Sequence, residues 1–141
     1  MSRNKARLVA MQSIFQLDDD PTAIRDLADS RAEEEQLTDQ DLEYLEKIIA
    51  STSDNKLKID QYITDYSIDW DIARLGKVER AVLRLAIAEM LYVDDVPSNV
   101  AINEAVLLAK KFGADQASKF INGILGKFSR EALGEQRGDR K

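Results

Sequence analysis

Apolar residues recur along this chain at the three- and four-residue spacing of helix faces almost from end to end. Leu8, Met11, Ile14 and Phe15 line one face of a first helix. Asp20 followed by Pro21 reads as the N-cap and first-turn proline of a short helix carrying Ile24, Leu27 and Ala28. Thr38 with Asp41 makes a capping-box pattern ahead of Leu42, Leu45, Ile48 and Ile49. A fourth helix carries Ile59, Tyr62, Ile63 and Tyr66. The most apolar stretch runs from Leu75 to Tyr92. At about 100° per residue its Lys77, Arg80 and Arg84 fall in one narrow stripe, which predicts a helix central to the core. The loop at Asp94–Pro97 ends it. A helix over Val100–Phe112 follows, with Gly113 as its left-handed C-terminal residue, and Asp115 caps a last helix running to Arg130. Asn103 and Asn122, in apolar surroundings, read as buried hydrogen-bonding residues that fix these two helices. The pattern predicts an all-α domain of about seven helices.

Composition narrows the chemistry. A chain of 141 residues suits one domain, here residues 1–133, with 134–141 expected to form a disordered tail. Two prolines and six glycines favour long helices over strand-and-turn architectures. There is no cysteine and no histidine, which removes disulfides, thiolate nucleophiles, cysteine-based zinc sites and Ser-His-Asp hydrolysis. The reading is a protein that is not an enzyme, with no cofactor and no metal. Asp18–Asp20 and Glu33–Glu35 lack the glycine and terminal glutamate of a calcium loop, and Asp69-Trp70-Asp71 offers too few ligands. Gly123-Ile124-Leu125-Gly126-Lys127 has the wrong spacing for a phosphate loop and reads instead as a site of close helix packing. No stretch approaches the ~18 apolar residues of a membrane span, so a soluble cytoplasmic protein without membrane contact is expected.

Charge is segregated. The net charge is −6, yet residues 1–16 carry Arg3, Lys5 and Arg7 and no acid, whereas residues 17–46 carry twelve acids against Arg25 and Arg31. Three basic residues at a helix start oppose the helix dipole, a conflict that an external phosphate would reverse. Lys110-Lys111-Phe112 and Lys119-Phe120 interleave cations and aromatics, which is what single-stranded nucleic acid needs for phosphate contact and base stacking. The competing reading puts both phenylalanines in the core and leaves the lysines as dipole-compensating residues at a helix end. Glu89, amid Leu85, Ile87 and Met90, needs an Arg, Lys or backbone donor, because a buried unpaired carboxylate is costly.

Taken together, several strings resemble the bacterial transcription antitermination factors of the NusB family. They are Leu75-Gly76-Lys77-Val78-Glu79-Arg80-Ala81-Val82-Leu83-Arg84, Asp95-Val96-Pro97, Val100-Ala101-Ile102-Asn103-Glu104-Ala105 and Lys119-Phe120-Ile121-Asn122-Gly123-Ile124-Leu125. Ala6-Arg7 and Gln12–Phe15 fit the family's opening helix, while residues 17–68 match in helical character more than in letters. The resemblance implies two small helical subdomains packed together. It also implies binding to the boxA element of nascent ribosomal transcripts as single-stranded RNA. The partners it implies are the ribosomal protein NusE and, through the other Nus factors, the RNA polymerase antitermination complex. Carried over by position, RNA contacts fall on Arg3, Lys5 and Arg7 and on Phe112, Gln116 and Lys119. Phe15 and Glu79 fall at the NusE contact, and Arg80 joins them from its exposed stripe. The basic arm is interrupted by Asn4, where other members carry consecutive arginines. The alternative is a helical interaction adaptor or homodimer without specific RNA binding. A third reading, a methyltransferase bearing this fold as an appendage, is not expected, since no Gly-rich nucleotide loop is visible and 141 residues would leave little room for a donor domain.

Overall fold

The computed structural model describes residues 2–67 and 75–133; the Asp69-Trp70-Asp71 string and the 134–141 tail lie outside the described residues. The elements are α1 (Ser2–Ile14), α2 (Ile24–Glu35), α3 (Asp39–Asp54), α4 (Lys56–Tyr66), α5 (Lys77–Tyr92), α6 (Ser98–Phe112) and α7 (Ala117–Phe128). A π-helical turn, Ser129–Leu133, ends the described chain. No strand occurs among the described residues, as the helical spacing predicts.

Helix α5 is the axis. It buries eleven residues, from Glu79 through Met90 with only Arg80 left out, and packs against α1 and α3 on one side and α4, α6 and α7 on the other. The two groups of helices thus share one core across α5, consistent with two small subdomains. Phe128 is fully buried between the edges of Tyr62 and Tyr66, whose ring centres lie 5.0 and 6.1 Å away, tying α7 to α4. Helix α6 turns a stripe of Ala101, Ala105 and Ala109 inward, so its backbone comes close to its neighbours. That leaves Val100 and Leu107 exposed, and places Asn103 and Asn122 on the surface rather than in the helix interface.

Several local expectations change for identifiable reasons. Thr38 does cap α3, accepting the Asp41 N–H at 3.2 Å. Asp20 does not cap α2; its Oδ1 accepts the Thr22 hydroxyl at 2.8 Å within a turn, and the helix starts at Ile24 with no side-chain cap. Asp115 likewise caps nothing, because Gln116 precedes α7 in a left-handed conformation, φ 74°. Gly113 is extended, with φ −90° and ψ 176°, not left-handed. Gly123 faces open space, so the Gly123–Gly126 pair is not a close helix crossing.

The Lys77–Arg80–Arg84 stripe is an electrostatic clasp. Arg84, 3% exposed, donates to Asp60 on α4 at 2.8 Å and to Asp18, in the α1–α2 connection, at 3.0 and 3.2 Å. Arg80 adds a 2.9 Å bond to Asp18, and Lys77 a 2.6 Å bond to Asp19. Partial burial acts to raise the Asp18 carboxyl, but the bonds from Arg84 and Arg80 and the charges of Arg84 and Lys56 win and hold it at about 2, below its ordinary 3.8. A carboxyl lowered in the folded state contributes stability above its unfolded value and loses it as pH falls toward 2. Melting temperatures of the parent are therefore expected to fall between pH 5 and pH 2.5 more steeply than those of Asp18→Asn, which starts lower at pH 7. Parallel pH profiles would remove Asp18 from the acid response.

Candidate nucleic-acid interface

The basic residues of α1 divide by environment. Lys5 is exposed and has no ion pair among the described residues. Arg3 is half-buried: its guanidinium lies 4.5 Å from the Tyr44 ring centre, with Asp41 and Asp95 at 3.9 and 3.8 Å, within reach of charge but not of a hydrogen bond. Arg7 faces inward. Its side chain is 7% exposed and grips Glu89 of α5 through Nε at 3.0 Å and Nη2 at 2.7 Å, with Glu104 of α6 at 3.5 Å from Nη1. The Tyr44 hydroxyl donates to the other Glu89 oxygen at 2.8 Å. Glu89 therefore has the arginine partner its burial demands, and Arg7, read from sequence as a phosphate contact, is withdrawn from the surface by that partner. Burial works against the Arg7 charge, but the bond to Glu89 and the surrounding carboxylates raise its pKa. Burial first, then the charge of Glu89, pushes the Tyr44 hydroxyl well above its ordinary 10, so it stays a donor.

Between α1 and α6 runs a groove of about 180 Å³, walled by Asn4 and Leu8 on one side and by Leu107, Leu108, Lys111 and Phe112 on the other, with Arg7 and Glu104 also lining it. This groove brings the start of α1 to the end of α6, joining two elements that are a hundred residues apart. Phe112 is 39% exposed and its ring lies 5.4 Å from Lys111 Nζ; Phe120 is partly buried against the core. One of the two phenylalanines is thus available to a ligand and the other contributes to packing. Beyond the groove, the α6–α7 turn presents Gln116, and the first turn of α7 presents Lys119, both exposed. In sequence Leu8 reads only as a helix-face residue, Asn4 only as a break in the basic arm, and Leu107 carries no signal; only their juxtaposition with Lys111 and Phe112 marks them as a site. The assembled surface offers cations, one ring face and an apolar trough, the combination that suits an unpaired nucleic-acid strand.

The residues read as a partner surface also divide. Phe15 is half-buried at the end of α1, with Lys77 Nζ 5.6 Å from its ring centre. Arg80 stands close by, its side chain 22% exposed and paired with Asp18. Glu79 does not join them. It is buried beneath the α6–α7 turn and accepts the Ala114 N–H at 3.0 Å, so it is not a surface contact. The helical pattern alone gave no sign of this, since Glu79 and Arg80 are neighbours in sequence but point to different surroundings. Among the described residues no helix is long and apolar enough to cross a membrane, and no group of acidic side chains is placed to hold a metal ion.

Comparison with known proteins identifies the family. The profile of the NusB family matches residues 4–130. The transcription antitermination protein NusB of Natranaerobius thermophilus is 47% identical, covering 89% of this chain and 92% of that one; that of Bacillus subtilis is 38% identical, with 89% and 92% covered. Among solved structures, NusB of T. maritima superposes with a TM-score of 0.84 at 32% identity, covering 92% of this chain and 91% of that one. A chain from a crystal structure of the antitermination factors NusB and NusE in complex with dsRNA superposes with a TM-score of 0.80 at 28% identity, with 92% and 96% covered. With a profile spanning nearly all of the described residues and relatives this similar over almost their whole length, the chain belongs to the NusB family.

Proposed function

We propose that this protein is a transcription antitermination factor that binds boxA-type single-stranded RNA together with a NusE-type ribosomal protein, as a non-enzymatic part of the RNA polymerase antitermination complex, in the cytoplasm. The observation that carries the reading is the groove between the α1 start and the α6 end, which is walled by Lys111 and Phe112, with exposed Lys5 on α1 and exposed Gln116 and Lys119 on the α6–α7 corner beyond it. Here Lys5, Lys111 and Lys119 supply charge for phosphates, Phe112 a stacking face, and Gln116 an amide for base edges. Arg3 contributes from its seat on Tyr44. Arg7 is left out of the set because its guanidinium is engaged with Glu89. The partner surface is Phe15 with Arg80, at the junction of α1 and α5. Residues 1–133 act as one unit.

The deciding experiment is fluorescence anisotropy of a labelled boxA-like RNA and a scrambled control, with and without purified NusE. The expected result is preferential binding of the boxA-like RNA that tightens on adding NusE. Equal, weak binding of both RNAs in either condition would overturn the reading and leave a helical interaction adaptor in its place.

A further inference from the structure

We infer that Glu79 is the positioning residue of the α6–α7 turn, fixing the path on which Phe112 and Gln116 meet RNA; the inference rests on the RNA-binding reading above. Glu79 lies in the first turn of α5, yet its carboxylate is buried and turned away from solvent. Its Oε2 accepts the N–H of Ala114 at 3.0 Å, a donor that belongs to neither helix and that no helical carbonyl satisfies. The chain closes over this carboxylate only because two residues lack side chains. A Cβ on Gly113 would stand 2.7 Å from Glu79 Oε2 and 2.8 Å from the Ala109 carbonyl, and a Cβ on Gly76 would strike Glu79 Oε1. Gly113 has an extended backbone that any residue adopts, so close approach, not conformational freedom, is what its position requires.

The turn is then held at successive points. Gly113 N–H bonds to Ala109 at 2.8 Å, Ala114 N–H bonds to Glu79, and Ala117 N–H bonds to Ala114 at 3.1 Å, with Gln116 between them in its left-handed conformation. A non-glycine residue persists in that conformation where its surroundings over-determine it. Glu79 supplies a side-chain anchor, from a different helix, in the middle of the segment. Its neighbour Arg80, about 100° further round α5, pairs with Asp18, so a single turn of α5 abuts both the proposed RNA corner and the proposed partner surface.

The test uses the full chain with Glu79→Ala, Glu79→Asp and Glu79→Gln. Each is checked for a cooperative melt above the assay temperature, then measured for boxA-like RNA affinity, NusE affinity and hydrogen exchange at the Ala114 amide. Glu79→Ala and Glu79→Asp, which withdraw the acceptor, are expected to weaken RNA binding about tenfold and to speed Ala114 exchange. Glu79→Gln keeps an acceptor oxygen and is expected to stay within about twofold of the parent in both readouts. NusE affinity is expected to be unchanged throughout. RNA affinity unaltered in Glu79→Ala overturns the inference. Tightening in both Glu79→Ala and Glu79→Gln also overturns it, since the carboxylate would then act by repelling RNA. Lost NusE affinity with RNA binding intact would make Glu79 a partner contact instead. Should the parent itself fail to prefer the boxA-like RNA, the functional reading fails, and Ala114 exchange still reports separately whether Glu79 holds the turn.

Discussion

Arg7→Ala is expected to destabilise the protein by about 3–5 kcal/mol, lowering its melting temperature by roughly 10–20 °C, because it strands Glu89 as a buried charge. Glu89 is 2% exposed and takes its strong bonds from side chains on other helices, two from Arg7 on α1 to one oxygen and one from Tyr44 on α3 to the other. Removing the guanidinium leaves one carboxylate oxygen with no donor in a desolvated site, and the remaining tyrosine cannot neutralise it. A surface phosphate contact would behave in the opposite way, losing RNA affinity with an unchanged melt. Replacing Arg7, Glu89 and Tyr44 by apolar residues, Arg7→Met with Glu89→Leu and Tyr44→Phe, is expected to recover most of the loss, since the fully buried carboxylate is gone and only the partly exposed Glu104 loses its cation. Urea unfolding of the two variants beside the parent decides the matter. A loss under about 1 kcal/mol in Arg7→Ala would mean that water reaches Glu89 and that the pair is a surface feature after all.

The fate of Arg7 shows where the sequence was readable. Helix existence and the centrality of α5 follow from periodicity, because burial and spacing dictate each other along a single helix, and the Thr38 cap follows from its spacing to Asp41. That Glu89 needed a cationic partner followed from the cost of burying a charge. Arg7 itself stands on the face of Met11 and Ile14, four and seven residues on, so its inward direction was legible too; its position in a basic arm obscured it. What periodicity does not carry is the meeting of distant elements. Glu79 beneath Gly113, and Leu8 across from Leu107, depend on how helices cross, which no spacing within one helix encodes. Asn103 is exposed rather than buried for a related reason. An alanine stripe, not the larger Val100 and Leu107, is the packed face of α6, and size-weighted apolarity points the wrong way there.

The largest effect on function is expected from reversing two charges at the corner of α6 and α7. Lys111 and Lys119 are exposed, and neither is part of the buried clusters, so Lys111→Glu with Lys119→Glu is expected to leave helicity and melting within about 0.5 kcal/mol of the parent. Affinity for boxA-like RNA is expected to fall about 100-fold at roughly 100 mM salt, each site exchanging an attraction for a repulsion of similar size. Salt dependence separates this from a general change in the turn. Contacts from Lys5, Lys111 and Lys119 give the parent a slope of log affinity against log salt near −2, at about −0.7 per phosphate, and the double variant keeps only the first of them. Its slope is expected to shrink to about −0.7, whereas Glu79→Ala, which moves the turn without removing a charge, weakens binding with a slope closer to the parent's. Retained affinity in the double variant would place the RNA elsewhere on the molecule. An unchanged slope with reduced affinity would mean that these lysines act through the fold of the corner and not through phosphates, since a contact that releases no counterion carries no salt dependence.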